Sequence, residues 1–125
     1  MGIAELIQLP HFPVMLSAII LLTLALIFII IHKPKKWFSL HVIFASAGII
    51  LAVIGLFILD ALLLFLTHAF IGLIVFIILV GTILIGTVAY RMKRKKVRNL
   101  HIWISRIIYV ISIVAVVLGI SFFLI

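Results

Sequence analysis

Five histidines are the residues of this chain best suited to hold a cofactor, because the sequence has no cysteine and only two acids, Glu5 and Asp60. Without Cys there is no disulfide, thiolate metal site, iron–sulfur cluster or covalent c-type haem attachment. His11, His41, His68 and His101 each stand at the start of a long apolar run. His32 lies instead in the basic loop His32-Lys33-Pro34-Lys35-Lys36 and reads as a solvated boundary residue. Two imidazoles at one depth on facing helices are the axial pair of a bis-histidine haem. Ionisable or ligating residues inside membrane spans tend to be functional.

The elements that must position these rings follow from hydropathy. The chain is 125 residues long and 69% hydrophobic, with only 10% charged residues, too few to cover a water-soluble domain. A span takes about 20 apolar residues. One such run is Phe12 to Ile31. Trp37 to Tyr90 is long enough for two crossings and holds a single formal charge, Asp60, with the turn expected near Asp60 to Thr67. The last run extends from about Leu100 to Ile125. The expectation is an all-α integral membrane protein: one membrane domain over 1–125, an antiparallel bundle of four transmembrane helices near 12–32, 38–60, 67–90 and 99–124.

All ten Lys and Arg residues, from Lys33 to Arg106, fall on one side of this topology, and both acids fall on the other. The positive-inside rule makes the basic loops cytoplasmic and both termini extracytoplasmic, in a multi-pass protein of the cell membrane. An uncleaved first helix fits the absence of a basic n-region and a small-x-small site. The net charge of +8 therefore serves topology and anionic headgroups rather than nucleic acid. Because helix direction alternates, His11 and His68 come to the outer level, His41 and His101 to the inner one. That makes two pairs.

The glycines share this register. Gly86 lies eighteen residues after His68, and Gly119 eighteen after His101. Eighteen residues are five turns, so each glycine shares its histidine's face about 27 Å further along. Gly86 thus reaches the level of His101, and Gly119 that of His68. Gly48 and Gly55, seven and fourteen residues after His41, form a similar stripe. Small residues suit a macrocycle pressed against a helix backbone. They equally suit helix–helix packing.

These fragments resemble the four-helix haem-binding core of the cytochrome b561 family, including the membrane part of its DOMON-linked members. His11 with Met15 is similar to the family's His-Gly-x-Leu-Met opening. Trp37-Phe38-Ser39-Leu40-His41 with Gly48 and Gly55 looks like its second helix. His68-Ala69-Phe70-Ile71-Gly72 leading to Gly86 is similar to the third, where the family has His-Ala-x-x-Gly. His101-Ile102-Trp103-Ile104-Ser105-Arg106 ending near Gly119 resembles the fourth, where it has His-Arg-x-x-Gly-Arg. The resemblance spans about His11 to Gly119. It implies two noncovalent haems b with axial pairs His11–His68 and His41–His101, haem packing by Gly48, Gly72, Gly86 and Gly119, and electron transfer across the membrane. Phe12 and Pro13 replace the family's Gly after the first His, so whether His11 or another group completes the outer pair stays open. Ile102 and Ser105 are further departures. A DOMON or flavin partner would be a separate polypeptide, and family members often form homodimers.

Bis-histidine ligation leaves no open coordination position, which suits outer-sphere electron transfer. Arg106, one turn after His101, is a candidate partner for an inner-haem propionate, its other role being to snorkel to the headgroups. The competing expectations are a haem-free scaffold subunit of a larger membrane complex and a quinol- or metal-reducing membrane oxidoreductase. No nucleophile, phosphate loop or protein-only metal motif supports a hydrolase or kinase. The donor, the acceptor, the direction of flow and the role of Asp60 are not encoded in any motif.

Overall fold

The computed structural model describes residues 7–58 and 67–124. Among these residues the chain is helical, with no strand: α1 (His11–Ile31), α2 (Trp37–Ile58), α3 (Thr67–Met92) and α4 (Lys95–Leu124). All four helices are long and apolar enough to cross a membrane, with mean hydropathies of 3.2, 2.5, 2.9 and 2.3. They are apolar around their whole circumference. Ile20, Ile43, Ile50, Ile77 and Leu84 are each more than half exposed, which a lipid surround accepts and water does not. The protein is a multi-pass helical membrane protein.

Helix ends follow local chemistry rather than hydropathy. Pro10 caps α1 and Pro13 falls in its first turn, where a missing N–H costs nothing. His32, in the left-handed conformation, closes α1 with its N–H donating to the Phe28 carbonyl at 3.0 Å. Lys93, also left-handed, closes α3 by donating to the Ala89 carbonyl. The chain turns at once, and α4 begins at Lys95 rather than near 99. Lys and Arg are good helix formers, so the helix continues past the apolar run into the headgroup region. The turn expected between Asp60 and Thr67 and both acidic residues lie outside the described residues.

The helices fall into two compact units, one of α1 with α2 and one of α3 with α4 as far as Gly119. Each contains an antiparallel helical hairpin. In the first, Ala18 and Leu22 of α1 meet Gly48 of α2, and Phe28 stacks on Phe44 at 5.5 Å. In the second, α3 and α4 meet through contacts of His68 with Ala115 and of His101 with Thr82.

One spacing recurs in every helix. Seven and fourteen residues after its histidine each helix buries a residue: Ala18 and Ala25, Gly48 and Gly55, Val75 and Thr82, Ile108 and Ala115. A seven-residue repeat keeps one seam facing a neighbour, and small residues let backbones approach without a hydrophobic drive. Hydroxyls on these helices are satisfied locally, Thr82, Ser105 and Ser112 each donating to the carbonyl one turn back. A Cβ at Gly48 would stand 3.0 Å from Leu22 and 3.1 Å from the Ala18 carbonyl oxygen. Gly48→Val is therefore expected to destabilise the first hairpin by about 1–3 kcal/mol, because a backbone atom cannot yield. Detergent unfolding followed by circular dichroism measures it, and an unchanged midpoint would show that the hairpin opens to accommodate the side chain.

Candidate functional site: four tethered imidazoles

Each histidine at a helix start is tied to the neighbouring helix of its own hairpin by the same bond. His11 Nδ1 donates to the Gly55 carbonyl at 2.8 Å, and His41 Nδ1 to the Ala25 carbonyl at 2.9 Å. His68 Nδ1 donates to the Ala115 carbonyl at 2.7 Å, and His101 Nδ1 to the Thr82 carbonyl at 2.9 Å. The acceptor always lies fourteen residues after the acceptor helix's own histidine. A carbonyl oxygen only accepts, so the proton must sit on Nδ1. In the neutral ring the lone pair is then on Nε2. Histidines that bind metals through Nε2 are commonly oriented by such an Nδ1–H bond to a backbone carbonyl.

Two glycines make room for two of these rings. A Cβ on Gly86 would lie 2.7 Å from Cε1 and 2.9 Å from Nδ1 of His101. A Cβ on Gly119 would lie 2.6 Å and 2.9 Å from the same atoms of His68. Both distances are closer than a real Cβ tolerates, so the rings of the second hairpin rest on bare backbone. The eighteen-residue spacing does bring each glycine to a histidine's level, but what it accommodates here is the imidazole itself. Gly48 packs on α1, and Gly55 lies against the Met15 side chain. Gly72 has nothing within 4 Å of where its Cβ would be.

The two histidines of one hairpin stand at opposite ends of it. His11 bonds to a residue fourteen positions beyond His41, which puts the rings about 21 Å apart along the axis. The second hairpin has the same arrangement. Neither hairpin by itself can offer two imidazoles to one iron.

Comparison with known proteins adds no relative. No family model, curated protein or solved structure matches this chain. Function therefore rests on residues and geometry.

His32 and Arg106 do not join the tethered set. His32 is exposed, donates from Nδ1 to the Ile30 carbonyl at 3.1 Å and meets Trp37 edge-on at 4.5 Å. Arg106 lies five positions after His101, about 140° around the helix. It is exposed, with its guanidinium 5.9 Å from the centre of the Trp103 ring. The face that carries His101 is a different one. Among the described residues no three His, Cys, Asp or Glu side chains converge on a point.

The acceptor residues Gly55, Ala25, Thr82 and Ala115 are not identifiable from chemistry-bearing side chains, since a main-chain carbonyl has no residue type. Their trace in the sequence is a small residue fourteen positions after each histidine.

Proposed function

We propose that this protein transfers electrons across the cell membrane through two bis-histidine haems b, as the resemblance to the cytochrome b561 core implies. The observation that carries the reading is the common Nδ1 tether of His11, His41, His68 and His101, which puts the ring proton on Nδ1 and makes Nε2 the nitrogen suited to a metal. When bound, the two haems supply reversible one-electron iron couples at two depths. The donor set fits: neutral imidazole is a normal axial ligand, and the tether raises its basicity while holding its rotation.

The resemblance implies one imidazole from each hairpin for each pair. His11 and His68 serve the extracytoplasmic level, His41 and His101 the cytoplasmic one. Gly86 and Gly119 hold the rings of His101 and His68 close to the facing backbone, and Thr82 and Ala115 fix their tautomers. Two such imidazoles would hold each haem with no position left open, so the group would supply outer-sphere electron transfer. The basic loops would face the cytoplasm, both termini the other side, with a separate redox subunit or a second copy as partner.

One feature favours a second reading, a haem-free scaffold: a histidine bonded to a carbonyl is already satisfied as a strut between helices. A pyridine haemochrome assay on the purified protein separates the two. Electron transfer predicts two haems b per chain and a low-spin spectrum in both redox states. A well-folded, colourless protein that fails to take up added haemin would sink the proposal.

A further inference from the structure

The exposed face of α4 carries an arginine less than two turns inside the apolar run. Arg106 lies six residues beyond Leu100, where the apolar run begins, about 9 Å along the axis. With Trp103, Ile107, Val110 and Ile111 it lines a shallow, wide-open groove on the surface of this one helix. Val114 and Val117, both at least half exposed, continue the same strip along the helix. A cation at that depth is costly without a counter-charge. The described residues contain no carboxylate side chain at all. The chain's two acids, Glu5 and Asp60, belong to the membrane face opposite the basic loops by sequence topology.

The direction of the side chain says where the counter-charge is met. Helical side chains lean toward the N-terminus, which for α4 is its basic end, starting at Lys95. Arg106 leans that way, toward Trp103 one turn earlier. A planar guanidinium binds phosphate well, and indole is at home at the headgroup boundary. Ile107, Val110 and Ile111 offer an apolar track below it.

We propose that this groove is a binding site for an anionic phospholipid of the leaflet on the basic side, its phosphate held at Arg106 and one acyl chain lying along Ile107, Val110 and Ile111. The site does not depend on haem. It assigns Arg106 to lipid rather than to a propionate.

The chain has two tryptophans, so Trp37→Phe leaves Trp103 as the sole tryptophan, excited at wavelengths that tyrosine does not absorb. The test places this variant in phosphatidylcholine vesicles containing a small, equal fraction of either acyl-brominated phosphatidylglycerol or acyl-brominated phosphatidylcholine. One cation near the surface is worth about 1 kcal/mol, so the anionic quencher should bind about fivefold more strongly. Arg106→Gln should bring the ratio to about one, Arg106→Lys should keep part of it, and Arg98→Gln should leave it unchanged. Native mass spectrometry of the chain with both tryptophans intact should show phosphatidylglycerol retained on the parent and lost from Arg106→Gln. Equal quenching by both lipids, a selectivity indifferent to Arg106→Gln, or a Trp103 shielded from both lipids by a second copy of the chain would each overturn the assignment.

Discussion

His68→Gln and His101→Gln should each purify with one haem b instead of two, and the double variant with none. Glutamine is the informative replacement because its amide can still donate to the Ala115 or Thr82 carbonyl that the imidazole engages. The strut is kept while the coordinating nitrogen is lost. A scaffold role predicts that glutamine restores normal behaviour and alanine does not. Alanine removes the bond to a carbonyl that its own helix still satisfies, at a cost of about 0.5–1.5 kcal/mol. Electron transfer predicts that glutamine rescues folding but not haem. The measurements are haemochrome stoichiometry, low-temperature electron paramagnetic resonance of the remaining low-spin species, and detergent unfolding. His41→Gln should remove the same haem as His101→Gln, and His11→Gln the same one as His68→Gln. Retention of two haems by any of these four variants would break the proposed pairing.

A single methyl group should act nearly as strongly. In Gly86→Ala the new Cβ would stand 2.7 Å from the His101 ring. Backbone on one side and the Thr82 bond on the other leave the imidazole no retreat that keeps its tether. The ring swings away, the Nδ1–H bond breaks, and the hairpin loses about 1–3 kcal/mol by overpacking. Tautomer is the direct readout: nitrogen NMR of the haem-free protein should show His101 protonated on Nδ1 in the parent and mixed in Gly86→Ala, with His68 unaffected. Gly119→Ala should do the reverse. In the haem-loaded protein the affected centre should lose haem or shift in potential while the other keeps its value. Gly72→Ala and Gly81→Ala have nothing within 4 Å and serve as controls. An unchanged His101 tautomer in Gly86→Ala would mean that the close contact does not hold the ring, whatever the haem content.

Much of this was legible from residue types. Apolar runs long enough to cross a bilayer can only be helices there, because backbone groups in lipid must be satisfied within the segment. The histidines stood out as the main candidate ligands, with one of them at the head of each run. Gly86 and Gly119 were visible through their register with His68 and His101, since a helix returns to the same face after eighteen residues. Their contact partner was not, because register gives height and face but not the neighbour across the gap. Arg106, five positions from His101, stands more than a third of a turn from the histidine's face, as helical spacing alone gives.

The sequence by itself determined that four helices are long and apolar enough to cross a membrane, that every Lys and Arg lies from Lys33 on, near the two inter-helix loops, and that imidazole is the main candidate ligand, all consequences of side-chain chemistry and helical period. Only the tertiary structure decided which backbone carbonyl each Nδ1 engages, which rings rest on glycine, and that α4 begins at Lys95. Those choices depend on the approach of one helix to another, a distance set by packing small residues such as Ala25, Gly48 and Ala115 rather than by the identity of any residue that does chemistry.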